Sequence, residues 1–169
     1  LYGIDARCTE EMEWLTKHYG EAGVLERFGH PLCSDDVACK ILWVRRREPE
    51  IYEKTFKFLT GSSYITAKLT GNYVIDQFLA KAAFRPLYRE DGLADEEECG
   101  LFCRPDQLCE CREVTELAGT VTAQAARETG HLEGTPVIVG TGDSTSEAVS
   151  VGIVEPGEVM VQFGSSLYF

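Results

Sequence analysis

No stretch of the chain approaches the ~20 consecutive apolar residues that a bilayer-crossing helix requires, so nothing in it reads as a membrane span. Basic residues are scarce, with 16 Lys and Arg against 28 Asp and Glu for a net charge of -12. A chain of that sign repels phosphate backbones and anionic lipid, which argues against nucleic-acid and membrane partners. A small phosphorylated anion stays admissible, because helix N-termini and backbone N–H groups hold such ligands locally. Internal repeats, low-complexity runs, a nucleophile elbow, a P-loop and a dinucleotide-binding fingerprint are all missing. The 3 histidines, His18, His30 and His131, share no metal-ligand spacing with one another or with the carboxylates, and are given no role. No signal peptide is visible, but a chain that begins at Leu1 without an initiator Met is silent on export.

Cysteine is not lacking. There are 7, and the odd count argues against a complete disulfide framework and for reduced thiols in a cytoplasmic protein. Cys99, Cys103, Cys109 and Cys111 form a cluster, yet only the first two approach the spacing of a zinc knuckle, so free thiols are the expectation there. A length of 169 residues with 44% hydrophobic residues suits one well-buried core. The opening LYGID reads as the end of a strand and the closing VMVQFGSSLYF as a strand and turn. Since free termini are usually polar, the chain reads as a fragment.

Between these ends the pattern alternates helix and strand. Thr9 to Tyr19 reads as a helix with an acidic first turn, ending at Gly20. A second helix, capped by Ser34 or Asp35, places Val37, Ile41 and Val44 on one face and stops before Pro49. Its last turn carries Arg45, Arg46 and Arg47, cations set against the helix dipole. Thr60 to Leu69 reads as a third helix closed by Gly71. The pattern from Asn72 to Leu87 is mixed, Arg89 to Glu98 reads as a surface loop, and Thr122 to Thr129 as a helix ending at Gly130. Pro136 to Val139 is a short apolar run, as in a strand buried on both faces. A glycine-rich turn follows, then a helix from Ser144 to Val151, a turn at Pro156-Gly157 and a strand from Glu158 to Phe163. That succession predicts an α/β domain.

Asp143 stands between that buried strand and the helix start, where ligand sites of α/β sheets gather. From position alone it is equally a helix cap. Ser144 and Glu147, however, have capping-box spacing, and if Ser144 caps the helix the Asp143 carboxylate is free to face a cleft. Gly164, Ser165 and Ser166 form a small-residue turn after the last strand, chemistry that suits a phosphate and equally an ordinary loop. Asp5 and Arg7 share one face of an extended segment, either as a pocket-lining pair or as a structural salt bridge.

Together these segments resemble the FGGY carbohydrate kinases, and within them xylulose kinases more than glycerol kinases. LYGIDARCTEE is similar to the family's strand ending in D-x-R before a helix carrying Glu. KLTGNYVID is similar to its L-T-G-x-x-x-x-D stretch, and PVIVGTGDSTSEAVSVG followed by VMVQFGSS to its G-x-x-D helix and G-T-S phosphate turn. The resemblance implies a ribonuclease-H-like fold of the actin and hexokinase type, incomplete here. Residues 1–169 would be part of the N-terminal sugar-binding domain, without the N-terminal phosphate loop and the nucleotide domain, and inactive in isolation. It implies ATP and Mg²⁺ as cofactors, a small sugar as substrate, a cytoplasmic location and, as an oligomer, a homodimer. Asp143 would be the catalytic base. Asp76, Asp5 and Arg7 would lie on the sugar side, and Gly164 and Ser165 would face the ATP phosphates, with Ser165 in place of the usual Thr. Two departures stand out. The helix reads Asp143-Ser-Thr-Ser-Glu-Ala-Val-Ser-Val-Gly where the family has D-N-A-A-G-A-V-G-x-G, and Leu79 stands where xylulose kinases often carry a second acid.

Overall fold

The computed structural model describes residues 5–153, 155–163 and 167–168. The opening strand, apart from Asp5, therefore lies outside the described residues, as do Gly164 and Ser165. Helix α1 (Thr9–Phe28) has the acidic first turn that the sequence predicts, Glu10 and Glu11, but it runs past Gly20. Gly20 breaks the helix without ending it: its φ of 71° and ψ of 162° are non-helical, and the closing left-handed residue is Gly29. The extension is held by burial, since Val24 and Phe28 beyond the break are core residues, and tertiary packing outweighs a local stop signal.

Helix α2 (Val37–Arg47) is entered from Asp36, not from Ser34 or Asp35. Of the face predicted for it, Ile41 is fully buried while Val37 and Val44 are only partly so. The reason is that α2 packs against three helices, α1, α3 (Pro49–Lys54) and α6 (Glu96–Phe102), so Ala38 to Leu42 are buried in succession. It ends ahead of Pro49, which opens α3, a position where the missing N–H is not needed. The last-turn arginines do more than face a dipole. The Arg46 guanidinium lies 3.9 Å from the Trp14 ring centroid. Arg45 donates to the Gly100 carbonyl at 2.8 Å, and Arg47 pairs with Glu10 and Glu11.

Helix α4 (Gly61–Thr70) forms as the sequence predicts, with Thr60 Oγ1 accepting the Ser63 N–H at 3.1 Å and Gly71 closing it. The ambiguous stretch after it resolves into β1 (Val74–Asp76) running directly into α5 (Gln77–Ala82). The surface loop expected through Glu98 is shorter than predicted. Asp95 accepts the N–H groups of Glu97 and Glu98 and caps α6, where three glutamates complement the helix dipole.

Strand β2 (Glu110–Arg112) pairs with β1 in parallel, Asp76 opposite Arg112. Strand β3 (Leu117–Thr120) and β4 (Pro136–Ile138) pair antiparallel, joined through α7 (Ala123–Thr129), which has the predicted stop at Gly130. β4 is not buried on both faces, for Pro136 and Ile138 are exposed and Val139, just past it, is the buried residue. Among the described residues this sheet has two strands, so β4 is an edge. Helix α8 (Asp143–Ser150) follows, then a hairpin of β5 (Gln162–Phe163) and β6 (Leu167–Tyr168). The strand predicted from Glu158 thus narrows to two residues.

One core, including Leu15, Phe28, Leu42, Phe84 and Phe102, lies among the helices, and a smaller cluster of Val74, Ala118 and Val139 joins β1, β3 and the end of β4. The carboxyl end of β1 meets the turn after β4 through the Thr141 hydroxyl, which donates to Asp76. Among the described residues no helix is long and apolar enough to cross a membrane.

Candidate active site

The chain leaves β4 through a short turn pinned by backbone bonds, Val139 N–H to Glu116 O at 2.9 Å and Gly140 N–H to Val114 O at 3.1 Å. Gly140 takes φ 74° there, a conformation that favours glycine. Asp143 is the first residue of α8 and is exposed. The capping box expected of Ser144 and Glu147 does not form. The helix starts earlier, at a Gly142 cap whose carbonyl accepts from the Ser146 N–H at 3.1 Å and the Ser146 hydroxyl at 2.9 Å. Ser144 is therefore inside the first turn, and its N–H donates to Asp143 Oδ1 at 2.9 Å. Asp143 Oδ2 has no hydrogen-bond partner among the described residues. The carboxylate is half free, for a reason other than the one the sequence suggested.

Asp76 is the opposite case. It ends β1, caps α5 and is 1% exposed. Its Oδ1 accepts the Leu79 N–H and the Thr141 hydroxyl, each at 3.1 Å. A buried carboxylate is tolerated only with such donors. The Thr141 bond ties the end of β1 to the turn that carries Asp143. Leu79 lies against the same turn, since a Cβ built on Gly142 would meet its Cδ2 at 3.4 Å. From below, the Thr66 hydroxyl donates to Val139 O at 3.4 Å.

Asp5 and Arg7 form a bidentate pair, Nε to Oδ1 at 2.8 Å and Nη2 to Oδ2 at 2.7 Å, with the guanidinium 4.4 Å from the Trp43 ring centroid. The Arg7 hydrogen bond holds the Asp5 carboxyl down at about 2. The pair lines a crevice with Cys8, Lys40 and Trp43. No hydrogen bond or ion pair among the described residues joins it to Asp76 or Asp143. The structure thus brings Asp76 and Asp143 together and leaves Asp5 and Arg7 on the α2 side.

The sequence pattern does not distinguish Thr141 or the buried charges Lys40 and Glu11. Thr141 is flagged only by its place between two glycines, and the two charges occupy helix positions that composition cannot distinguish from exposed ones. No disulfide joins the cysteines. The Cys99 Sγ–H donates to Leu87 O and the Cys109 Sγ–H to Phe58 O, each at 3.7 Å, and burial pushes the Cys109 thiol up to about 11. Protonated, donating thiols are poor metal ligands.

The family model described as the FGGY family of carbohydrate kinases, N-terminal domain, matches residues 3–150. The chain is 29% identical over 166 residues to xylulose kinase of Escherichia coli (strain K12), covering 98% of this chain and 34% of that protein. It is 31% identical over 169 residues to the autoinducer-2 kinase of Klebsiella pneumoniae subsp. pneumoniae, covering 96% and 31%. The crystal structure of xylulose kinase from Rhodospirillum rubrum is similar with a TM-score of 0.84 and 28% identity, over 96% of this chain and 33% of that one. Plasmodium falciparum glycerol kinase with ADP shares the fold at a TM-score of 0.79 and 22% identity, over 97% and 33%. The chain spans about a third of the length of the relatives it matches.

Proposed function

The chain belongs to the FGGY family of carbohydrate kinases, and from that premise we propose that it is the sugar-side part of an ATP-dependent kinase. Its fold is the α/β, ribonuclease-H-like type of actin and hexokinase. Residues 1–169 lie, on this reading, in the N-terminal sugar-binding domain of a longer enzyme. The substrate is a small ketose or polyol, with xylulose the first candidate because relatives bearing that name match by sequence and by structure.

The carrying observation is the contrast between the two carboxylates at the sheet's edge. Asp76 is buried with two donors on its Oδ1, while Asp143 is exposed with a single donor on Oδ1 and Oδ2 open to solvent-side ligands. Asp143 is therefore the base: Oδ2 takes the proton from the sugar hydroxyl as its oxygen attacks the γ-phosphorus of ATP. General-base help of this kind is worth roughly 10²–10⁴ in rate, and the rest of phosphoryl transfer is positioning and charge stabilisation. Asp76 supports the sugar side by holding the Asp143 turn through Thr141. Asp5 and Arg7 would border the sugar from the α2 side as a fixed ion pair.

Gly142 gives α8 no side-chain cap, so apart from the Ser144 N–H, which Asp143 Oδ1 takes, the first-turn N–H groups suit a phosphoryl oxygen. Mg²⁺ would supply charge neutralisation on the transferred group. Gly164 and Ser165 remain the proposed phosphate contacts. The test is ADP release by the full-length protein with ATP, Mg²⁺ and, in turn, xylulose, ribulose or glycerol. Asp143→Ala should abolish it, and turnover retained in that variant would overturn the assignment. Sugar affinity without ADP release would instead favour a non-catalytic, actin-like sugar-binding module.

A further inference from the structure

We propose that the turn between α1 and α2 is a binding site for a divalent ion of the zinc class, with His30 Nε2, Cys33 Sγ and Asp36 Oδ1 as its ligands. One ligand atom from each of these residues lies within 4.8 Å of the other two, and His30 Nε2 is 3.4 Å from Asp36 Oδ1. Sequence spacing hid the set, because the ligands become neighbours only when the chain folds back between the left-handed Gly29 that closes α1 and the Asp36 cap of α2.

Hydrogen bonding orients His30 and Asp36. His30 Nδ1 lies 2.8 Å from Pro31 O, and a carbonyl can only accept, so Nδ1 carries the ring proton. Nε2, the other ring nitrogen, lies 3.4 Å from Asp36 Oδ1. Two acceptors so placed need a cation between them, either a second ring proton or a metal. Asp36 is 4% exposed, and its Oδ2 accepts the Cys33 N–H at 2.7 Å, so Oδ1 is the oxygen left to ligate. A ring nitrogen held by a backbone carbonyl while the other binds metal is the usual arrangement of ligating histidines.

Cys33 favours the metal over the proton. Its exposed Sγ lies within 4.8 Å of the other two ligands and has no hydrogen-bond partner among the described residues, and a His–Asp ion pair would make no use of it. An imidazole, a thiolate and a carboxylate form a mixed set that suits zinc better than magnesium or calcium. With bonds of about 2.0–2.3 Å, tetrahedral ligands stand roughly 3.3–3.8 Å apart. His30 and Asp36 already have that separation, and Cys33 stands within 4.8 Å of them. Three protein ligands leave one position for water. The ion would clasp the end of α1 to the start of α2, whose first N–H, that of Val37, donates to Ala83 O at 3.3 Å just beyond α5.

The test needs no kinase activity. The full chain, freed of metal, is titrated with Co²⁺ and then Zn²⁺. One Co²⁺ per chain should bind, with the visible bands of a tetrahedral site and thiolate charge transfer, and Zn²⁺ should displace it. Zn²⁺ should also protect Cys33 from alkylation, read by peptide mass spectrometry. Cys33→Ser and His30→Ala alter exposed side chains, so each should keep the metal-free circular dichroism of the parent and weaken binding by about tenfold or more. Should either variant fold poorly, the other variant and the alkylation readout on the unaltered chain decide the matter. Absence of saturable binding overturns the site, as does binding that survives both substitutions, which would place the ion on other thiols. A His30 ring that titrates as the protonated partner of Asp36 with no cobalt spectrum overturns it as well.

Discussion

At the scale of single residues, chemistry here depends on which oxygen is already occupied. Asp143→Asn keeps the shape of the α8 start but removes the proposed base, so kcat in the full-length enzyme should fall by roughly 10²–10⁴ with sugar affinity little changed, measured by coupled ADP assay and by calorimetry. Thr141→Val removes one donor from the buried Asp76. Leaving such a group short of a partner costs about 1–3 kcal/mol, which urea unfolding would register. Asp5 bears on acid stability. Its folded pKa of about 2 lies below the unfolded value of ~3.9. Its contribution is thus complete above the unfolded value and is lost as the pH falls through the folded one. Asp5→Asn should flatten the unfolding curve between about pH 4 and about pH 2, and an unchanged acid limb would refute that role for the pair.

At the scale of elements, caps and glycines explain why some helices are legible in the sequence and others are not. α4 and α7 are legible because each has a Thr cap and a left-handed Gly stop, and Thr60→Ala should cost about 0.5–2 kcal/mol in chemical denaturation. α1 is longer than its pattern suggests because the same glycine signal at Gly20 is a break inside a helix whose far half is buried, and burial cannot be read from a short stretch of pattern. Gly20 has a backbone conformation essentially reserved for glycine, so Gly20→Ala should destabilise by about 1–3 kcal/mol. In the candidate site, Asp143 and Asp76 are legible through their motifs. Thr141 and the cap at Gly142 are not, because they depend on a contact between segments 65 residues apart and on where a carbonyl points.

At the scale of the whole molecule, unbalanced negative charge outweighs the local pairs. Several contact ion pairs join residues two apart and others join separate helices, while the net charge of -12 acts over the whole surface. Salt shortens the Debye length from about 30 Å at 0.01 M to about 8 Å at 0.15 M, which screens diffuse repulsion more than contact pairs. The melting temperature should therefore rise across that range, as scanning calorimetry would show. The alternation of helix and strand that points to an α/β domain is matched by the fold, yet β4 is an exposed edge, since burial on both faces depends on neighbours that no short apolar run can specify.

The bond between Thr141 and Asp76 also has a consequence in time. A ribosome delivers the chain from its N-terminus, so Asp76 emerges with the Leu79 N–H close at hand and Thr141 still 65 residues away. At about 5–20 residues per second the second donor arrives roughly 3–13 s later. For that interval β1 and α5 are synthesised but their carboxylate has half its partners, and burying it is costly. The helical layer of the first half can therefore settle during synthesis, whereas the edge that carries Asp143 can close only once Thr141 has left the ribosome.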